Sequence, residues 1–127
     1  MKTILVVDDN TDNRNIIAQM LKISGFQVVC AINGVHALEV AASERPDLIM
    51  MDMAMPVMDG WSATGHLKAD PELNRIPVIA VTGHVTQNEI NRALNMGCED
   101  VITKPIDFET MIQKVRRYAT RHMIVVQ

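Results

Sequence analysis

Short apolar runs punctuate the chain at Ile4–Val7, Phe26–Cys30, Leu48–Met51, Val78–Val81 and Val101–Ile102. Between them lie longer stretches with helical spacing. Ile16, Ile17, Met20 and Leu21 mark one apolar face, and Ala37, Leu38, Ala41 and Ala42 mark another. Ile90, Ala93 and Leu94 form a third, and Phe108, Met111, Ile112 and Val115 a further one. The stretch from Trp61 to Leu67 is a weaker helix, with Gly65 inside it. Gly25 and Gly97 stand where helices should stop, and Pro46, Pro77 and Pro105 stand at junctions. The pattern predicts strand followed by helix, five times over. Such alternation gives an α/β fold, a doubly wound five-stranded parallel sheet with helices on both faces. Strands covered on both faces should be unbroken apolar runs, as "ILVV", "LIMM" and "VIAV" are.

Length and composition narrow the picture. A chain of 127 residues suits one domain, and 48% hydrophobic residues supply a core. A net charge of −3 gives no general nucleic-acid footprint. No apolar run approaches a membrane span, and the short run after Met1 ends in acid, unlike a signal peptide. A cytoplasmic, soluble protein is expected. Cys30 and Cys98 form no CxxC pair, so buried thiols in a reducing compartment are the simpler reading, and a disulfide between them stays open. Ten methionines against 3% aromatics suggest an adaptable core and carry no function.

Ligands of open α/β sheets bind beyond the carboxyl ends of the strands. The first strand delivers Asp8 and Asp9 there, the third Asp52, the fourth Thr82, and the fifth Lys104 followed by Pro105. The second offers nothing comparable. Three carboxylates brought together need a cation. Magnesium fits, because it takes one or two carboxylates and keeps waters for an incoming phosphate. Lys104 can pair with one phosphate oxygen and the Thr82 hydroxyl can bond another. A carboxylate can itself be the nucleophile and form an aspartyl phosphate. The first strand then acts as a rigid post that holds Asp8 and Asp9 beside Asp52.

With those residues in view, the chain resembles a response-regulator receiver domain of two-component signalling, from about Lys2 to about Arg121. The resemblance rests on "ILVVDDN", "PDLIMMDMAMPVMDG", "PVIAVTG" and "GCEDVITKP", in that order and spacing. Any one motif is weak; the four together are specific. The resemblance implies a flavodoxin-like strand order of 2-1-3-4-5 and a receiver domain over 1–121, with a tail over 122–127. It implies that Asp52 is the phosphoacceptor and that Asp9 binds magnesium directly, Asp8 mostly through water. The backbone carbonyl of Ala54 would be a further ligand. Thr82 would be the switch hydroxyl, Lys104 would bind the phosphoryl group, and the Lys104–Pro105 peptide would be cis. Met55 to Gly60 would form the loop after the phosphoacceptor.

Two pairs of positions depart from the family or vary within it. Val101 and Ile102 stand where an aromatic usually precedes the lysine. Ala54 and His84 flank the site, where residues of the family tune the lifetime of the phosphoryl group.

Each residue also has a plainer reading. Asp8 and Asp9 could cap the first helix, but Asn10, Thr11 and Asp12 already supply that. Thr82 or Lys104 alone would be an ordinary strand or surface residue. His36, His66 and His122 read as solvent-facing or packing residues, with no zinc spacing. The basic stretch Lys114–Arg121 reads as a solvated helix face, or more sharply as a docking edge for an acidic partner.

The resulting expectation is a stand-alone switch, not a metabolic enzyme, that accepts a phosphoryl group from a sensor histidine kinase or phosphotransfer protein. An unidentified downstream protein would read the face made by the fourth helix (about Thr86–Asn95), the fifth strand and the fifth helix (about Asp107–Arg121). The chain would be a monomer, or a weak dimer through that face, with no direct contact to nucleic acid or membrane. A phosphohydrolase would carry DxD on the first strand and a cap domain. A flavodoxin-type module would carry a hydroxyl-rich phosphate loop and aromatics. A pseudo-receiver that signals without phosphate is the remaining alternative.

Overall fold

The structure is a computed structural model that describes residues 1–55, 57–83 and 86–120. In chain order the elements are β1 (Thr3–Val7), α1 (Thr11–Ile23), β2 (Gln27–Ala31), α2 (Gly34–Glu44) and β3 (Leu48–Asp52). They continue as α3 (Gly60–Ala69), β4 (Val78–Thr82), α4 (Gln87–Asn95), β5 (Asp100–Thr103) and α5 (Phe108–Ala119). The strands form one parallel sheet in the order β2-β1-β3-β4-β5. This is the doubly wound, flavodoxin-like arrangement the alternation and the resemblance predict.

The unbroken apolar runs follow from the pleat, which sends successive side chains to opposite faces. Ile4, Val6, Met50, Ile79, Val81 and Ile102 pack on one face against Ile17 and Leu21 of α1 and Met111 and Val115 of α5. Leu5, Val7, Ile49, Met51, Ala80 and Val101 pack on the other against Ala37 and Ala41 of α2, Ala63 and Leu67 of α3, and Ala93 of α4. With both faces covered, no position in the central strands can be polar until the strand ends.

Helix starts are set by side-chain caps. Asn10, Asn33, Asp59 and Thr86 each accept from the backbone N–H three residues on, at 2.8–3.2 Å. Asp59's cap and the buried Ala63, Thr64 and Leu67 carry α3 through Gly65 despite its weak pattern. Gly25 and Gly97, with φ of +98° and +104°, reverse the chain after α1 and α4, as their placement suggested.

Three residues assigned to buried faces are exposed: Ile16, Ala42 and Leu94. Each flanks its helix's buried stripe, which in α1 is Ile17, Ala18 and Leu21. Cys98 is buried but Cys30 only half-buried, because β2 is an edge strand; neither forms a disulfide. Burial holds the Cys98 thiol up at about 11. No helix among the described residues is long and apolar enough to cross a membrane.

Candidate functional site

Strand register builds the site. Val7 pairs with Met51, which brings Asp8 level with Asp52 on the neighbouring strand. Thr82 ends β4 on the far side of β3 and pairs with Thr103, so Lys104 follows one step beyond. The Lys104 N–H donates to the Thr82 carbonyl at 2.9 Å, and the Lys104–Pro105 peptide is cis. All four strand-end groups named from the sequence therefore meet at one rim.

Asp8 and Asp52 are each 2% exposed, whereas Asp9 is exposed. One carboxylate oxygen from each of the three lies within 4.8 Å of the others. Asp52 is held at both oxygens. Its Oδ1 accepts from the Ala54 N–H at 3.0 Å, and its Oδ2 pairs with Lys104 Nζ at 3.2 Å. Thr82 is buried at the same rim. Asp8 Oδ1 accepts from the Asn10 N–H at 2.9 Å. Asn10, not Asp8 or Asp9, caps α1, so the capping role does not account for these two acids.

The cluster is electrostatically costly. Burial, above all, pushes the Asp8 carboxyl above its ordinary range. The Asn10 N–H opposes this, Asp52 adds to it, Lys104 opposes it and Asp9 adds to it. A hard divalent cation relieves both burial and repulsion, and an all-oxygen donor set of this kind suits magnesium. Asp8, Asp9 and Asp52 thus fit that ion.

Two glycines let the surrounding loops close in. A Cβ on Gly60 would run into the Asp52 carbonyl oxygen and lie 2.6 Å from Met53 Sδ. A Cβ on Gly34 would lie 2.6 Å from the Met58 carbonyl oxygen, which the Gly34 N–H meets at 3.1 Å. The start of α3 is thereby packed onto the end of β3, and the start of α2 onto the loop that follows Asp52. Within that loop Val57 has φ of +71° and is 85% exposed.

Sequence reasoning missed two features. The first is Arg14, whose Nη1 donates to the Asp8 carbonyl at 2.8 Å. The second is a groove of about 540 Å³ whose polar end is Asp8 and Lys104 and whose walls include Ile16, Ile17, Ile106 and Phe108. The exposure of Ile16 is the trace of that groove. His36 closes the turn after β2 by accepting from the Ile32 N–H at 3.1 Å, and His66 is exposed. Lys114 is bound to Asp100 at 3.2 Å and to the Val101 carbonyl at 2.8 Å, so it serves β5 internally. Val101 and Ile102 are both buried in the core. His84, His122, Arg121 and the tail 122–127 lie outside the described residues.

A doubly wound domain with three clustered acids, two of them buried, and a lysine on one rim defines a class built for phosphate and metal. The comparisons narrow it. The family model for the response regulator receiver domain matches residues 4–116, and the chain belongs to that family. The polar-differentiation response regulator DivK of Brucella anthropi is 38% identical over 117 residues, 92% of this chain and 95% of that protein. The signal receiver domain of a signal transduction histidine kinase from Syntrophus aciditrophicus superposes with a TM-score of 0.87 at 33% identity. The match covers 95% of this chain and 92% of that one. The receiver domain of a sensor histidine kinase from Pseudomonas aeruginosa gives 0.85 at 33% identity, with 93% and 97% covered. That structure has a magnesium ion coordinated in its active site cleft. Phosphorylation-dependent switching is the general role of this signalling family, whose members interact with histidine kinases and phosphotransfer proteins.

Proposed function

We propose that this chain is a switch that takes a phosphoryl group onto Asp52 from a phosphohistidine and signals by protein contact. The observation that carries the reading is the Asp52 carboxylate, buried beside Asp8 and Asp9 with Lys104 Nζ at 3.2 Å.

An Asp52 oxygen attacks phosphorus as the phosphorus–nitrogen bond to the donor imidazole breaks, and the departing imidazole takes up a proton. The Ala54 N–H holds the other carboxylate oxygen and sets the direction of attack. Lys104 trades its carboxylate partner for a phosphoryl oxygen, and the Thr82 hydroxyl bonds a second. Asp8, Asp9, Asp52 and the Ala54 carbonyl would hold magnesium, which supplies positive charge against the transferring group. The modification adds a charge of about −1.5 to −2 at the rim and biases two conformations of the domain.

Output is read on the face of α4, β5 and α5. Support comes from α4, a nine-residue helix in which Ala93 is the buried residue and Leu94 is 46% exposed. Small, lightly anchored elements are the ones that switches move. Val101 and Ile102 are packed in the core, so β5 offers no ring that could rotate to carry the coupling.

The donor docks along the groove between α1 and the β5–α5 connection, where an apolar wall meets Asp8 and Lys104. Transfer from a phosphorylated histidine phosphotransfer domain and from acetyl phosphate separates docking from chemistry. Ile16→Glu and Phe108→Glu should slow the first at least ~10-fold, the worth of ~1.4 kcal/mol, and leave the second near wild type. Asp52→Asn should abolish both. Wild-type transfer to the two glutamate variants would remove the groove from the docking surface.

A further inference from the structure

Asp8 lies one residue beyond β1, past the last bond of the parallel ladder on the β3 side. Its backbone polar groups nevertheless have defined partners. The N–H donates to the Ala31 carbonyl at 3.2 Å, which ties it to β2. The carbonyl accepts from Arg14 Nη1 at 2.8 Å, and Arg14 Nη2 leans on Thr11 Oγ1 at 3.4 Å. Arg14 is half-buried in the first turns of α1, on the helix that Asn10 caps. Among the described residues it forms no ion pair with a carboxylate.

The Asp8 carbonyl belongs to the Asp8–Asp9 peptide plane. That plane is bounded by ψ of Asp8 and φ of Asp9, so it sets how the two side chains point relative to one another. Asp8 Oδ1 accepts from the Asn10 N–H, which fixes the orientation of that carboxylate. Asp9 is exposed and depends on the backbone for its aim. We infer that Arg14 is a positioning residue for the divalent-cation site: by holding the Asp8 carbonyl it locks the peptide plane that aims Asp8 and Asp9 together. The inference rests on the proposed cation site.

Two consequences of Arg14 oppose each other, which makes the idea testable. Its positive charge repels a cation, so removing the charge alone should tighten binding. Its hydrogen bond orders the two acids, so losing the bond should weaken binding. If positioning dominates, the sign of the change is weakening.

The experiment is calorimetric titration of the full chain with magnesium chloride at two salt concentrations. The proteins are wild type, Arg14→Met, Arg14→Lys and Asp9→Asn, with melting temperatures taken in chelator as a folding control. Arg14→Met should bind magnesium about 5- to 10-fold more weakly, the size expected for losing one hydrogen bond from a charged donor once the relieved charge repulsion offsets part of it. Arg14→Lys, which keeps a donor within reach, should recover most of the affinity. Equal or tighter binding by Arg14→Met overturns the inference. Should Arg14→Met melt before titration, Arg14→Lys and Arg14→Gln decide it: Lys binding no better than Gln overturns it. Failure of wild type to bind at all, with Asp9→Asn indistinguishable from it, overturns the cation site as well.

Discussion

Replacing Asp8 with asparagine removes one of three clustered charges while keeping the side chain's shape and an oxygen for the Asn10 N–H. Carboxylate oxygens within 4.8 Å of one another repel by at least about 1 kcal/mol per pair in water. At an effective dielectric constant near 20 the same separation gives about 3.5 kcal/mol. Asp8 and Asp52 are buried, which favours the larger figure, and Lys104 beside Asp52 offsets part of it. The substituted amide also avoids the cost of burying a charge but must find an acceptor for its new N–H₂. A net gain of about 1–2 kcal/mol follows, or a melting temperature about 3–8 °C higher in chelator. The pH dependence carries the same sign. The folded Asp8 carboxyl titrates above its unfolded value of 3.8. Its contribution to stability is therefore complete below that pH and is lost as pH rises through the folded value. The advantage of Asp8→Asn should vanish in acid and open as pH rises. Magnesium should invert the order. Wild type gains about 2.7 kcal/mol at 100 times the dissociation constant, and the variant much less. The assay is thermal unfolding in chelator and in magnesium across pH. A variant less stable than wild type in chelator at neutral pH, or an equal lift of both by magnesium, would show that charge repulsion does not govern this cluster.

Val57→Asn should raise stability by about 1 kcal/mol in urea unfolding, because a β-branched residue at φ of +71° is strained and asparagine tolerates that region. An unchanged midpoint would mean the loop carries no such strain. Gly60→Ala should cost about 1–3 kcal/mol and weaken magnesium binding, since its Cβ meets the carbonyl of Asp52; a wild-type melting curve would contradict this. Cys98 keeps its proton to about pH 11 when folded, against 9.0 when unfolded, so its contribution holds below pH 9 and fades as pH rises to 11. A loss of about 2–3 kcal/mol over that range should be present in wild type and missing in Cys98→Ala, and parallel pH profiles would exclude it.

The strands were legible because burial on both faces demands unbroken apolar runs, and a polar side chain that interrupts such a run marks its end. Asp8, Asp52 and Thr82 were found in that way, one to each central strand. The order of the strands is not written in apolar spacing, which is the same for "LIMM" and "VIAV"; it came with the resemblance. Other features depend on distances between segments far apart in sequence. The groove exists because the chain after Pro105 returns beside α1, so Ile16 looked like core and is instead a wall open to solvent. Gly60 was read as the end of the loop after the phosphoacceptor, and its contact with Asp52 shows only when that loop is closed. Arg14 gave no signal, since nothing in "NTDNRN" says that its guanidinium turns back to the strand end. Cys30 looked buried because its run is apolar, but β2 lies at the sheet's edge.

Whether Asp52 takes a phosphoryl group with help from a divalent cation is read from intact mass after incubation with acetyl phosphate. Wild type and Asp52→Asn are compared, each with and without magnesium. A single phosphoryl adduct is expected on wild type in magnesium, and none in chelator or on the variant. An adduct on Asp52→Asn, or no adduct on wild type in magnesium, would show that Asp52 is not the phosphoacceptor.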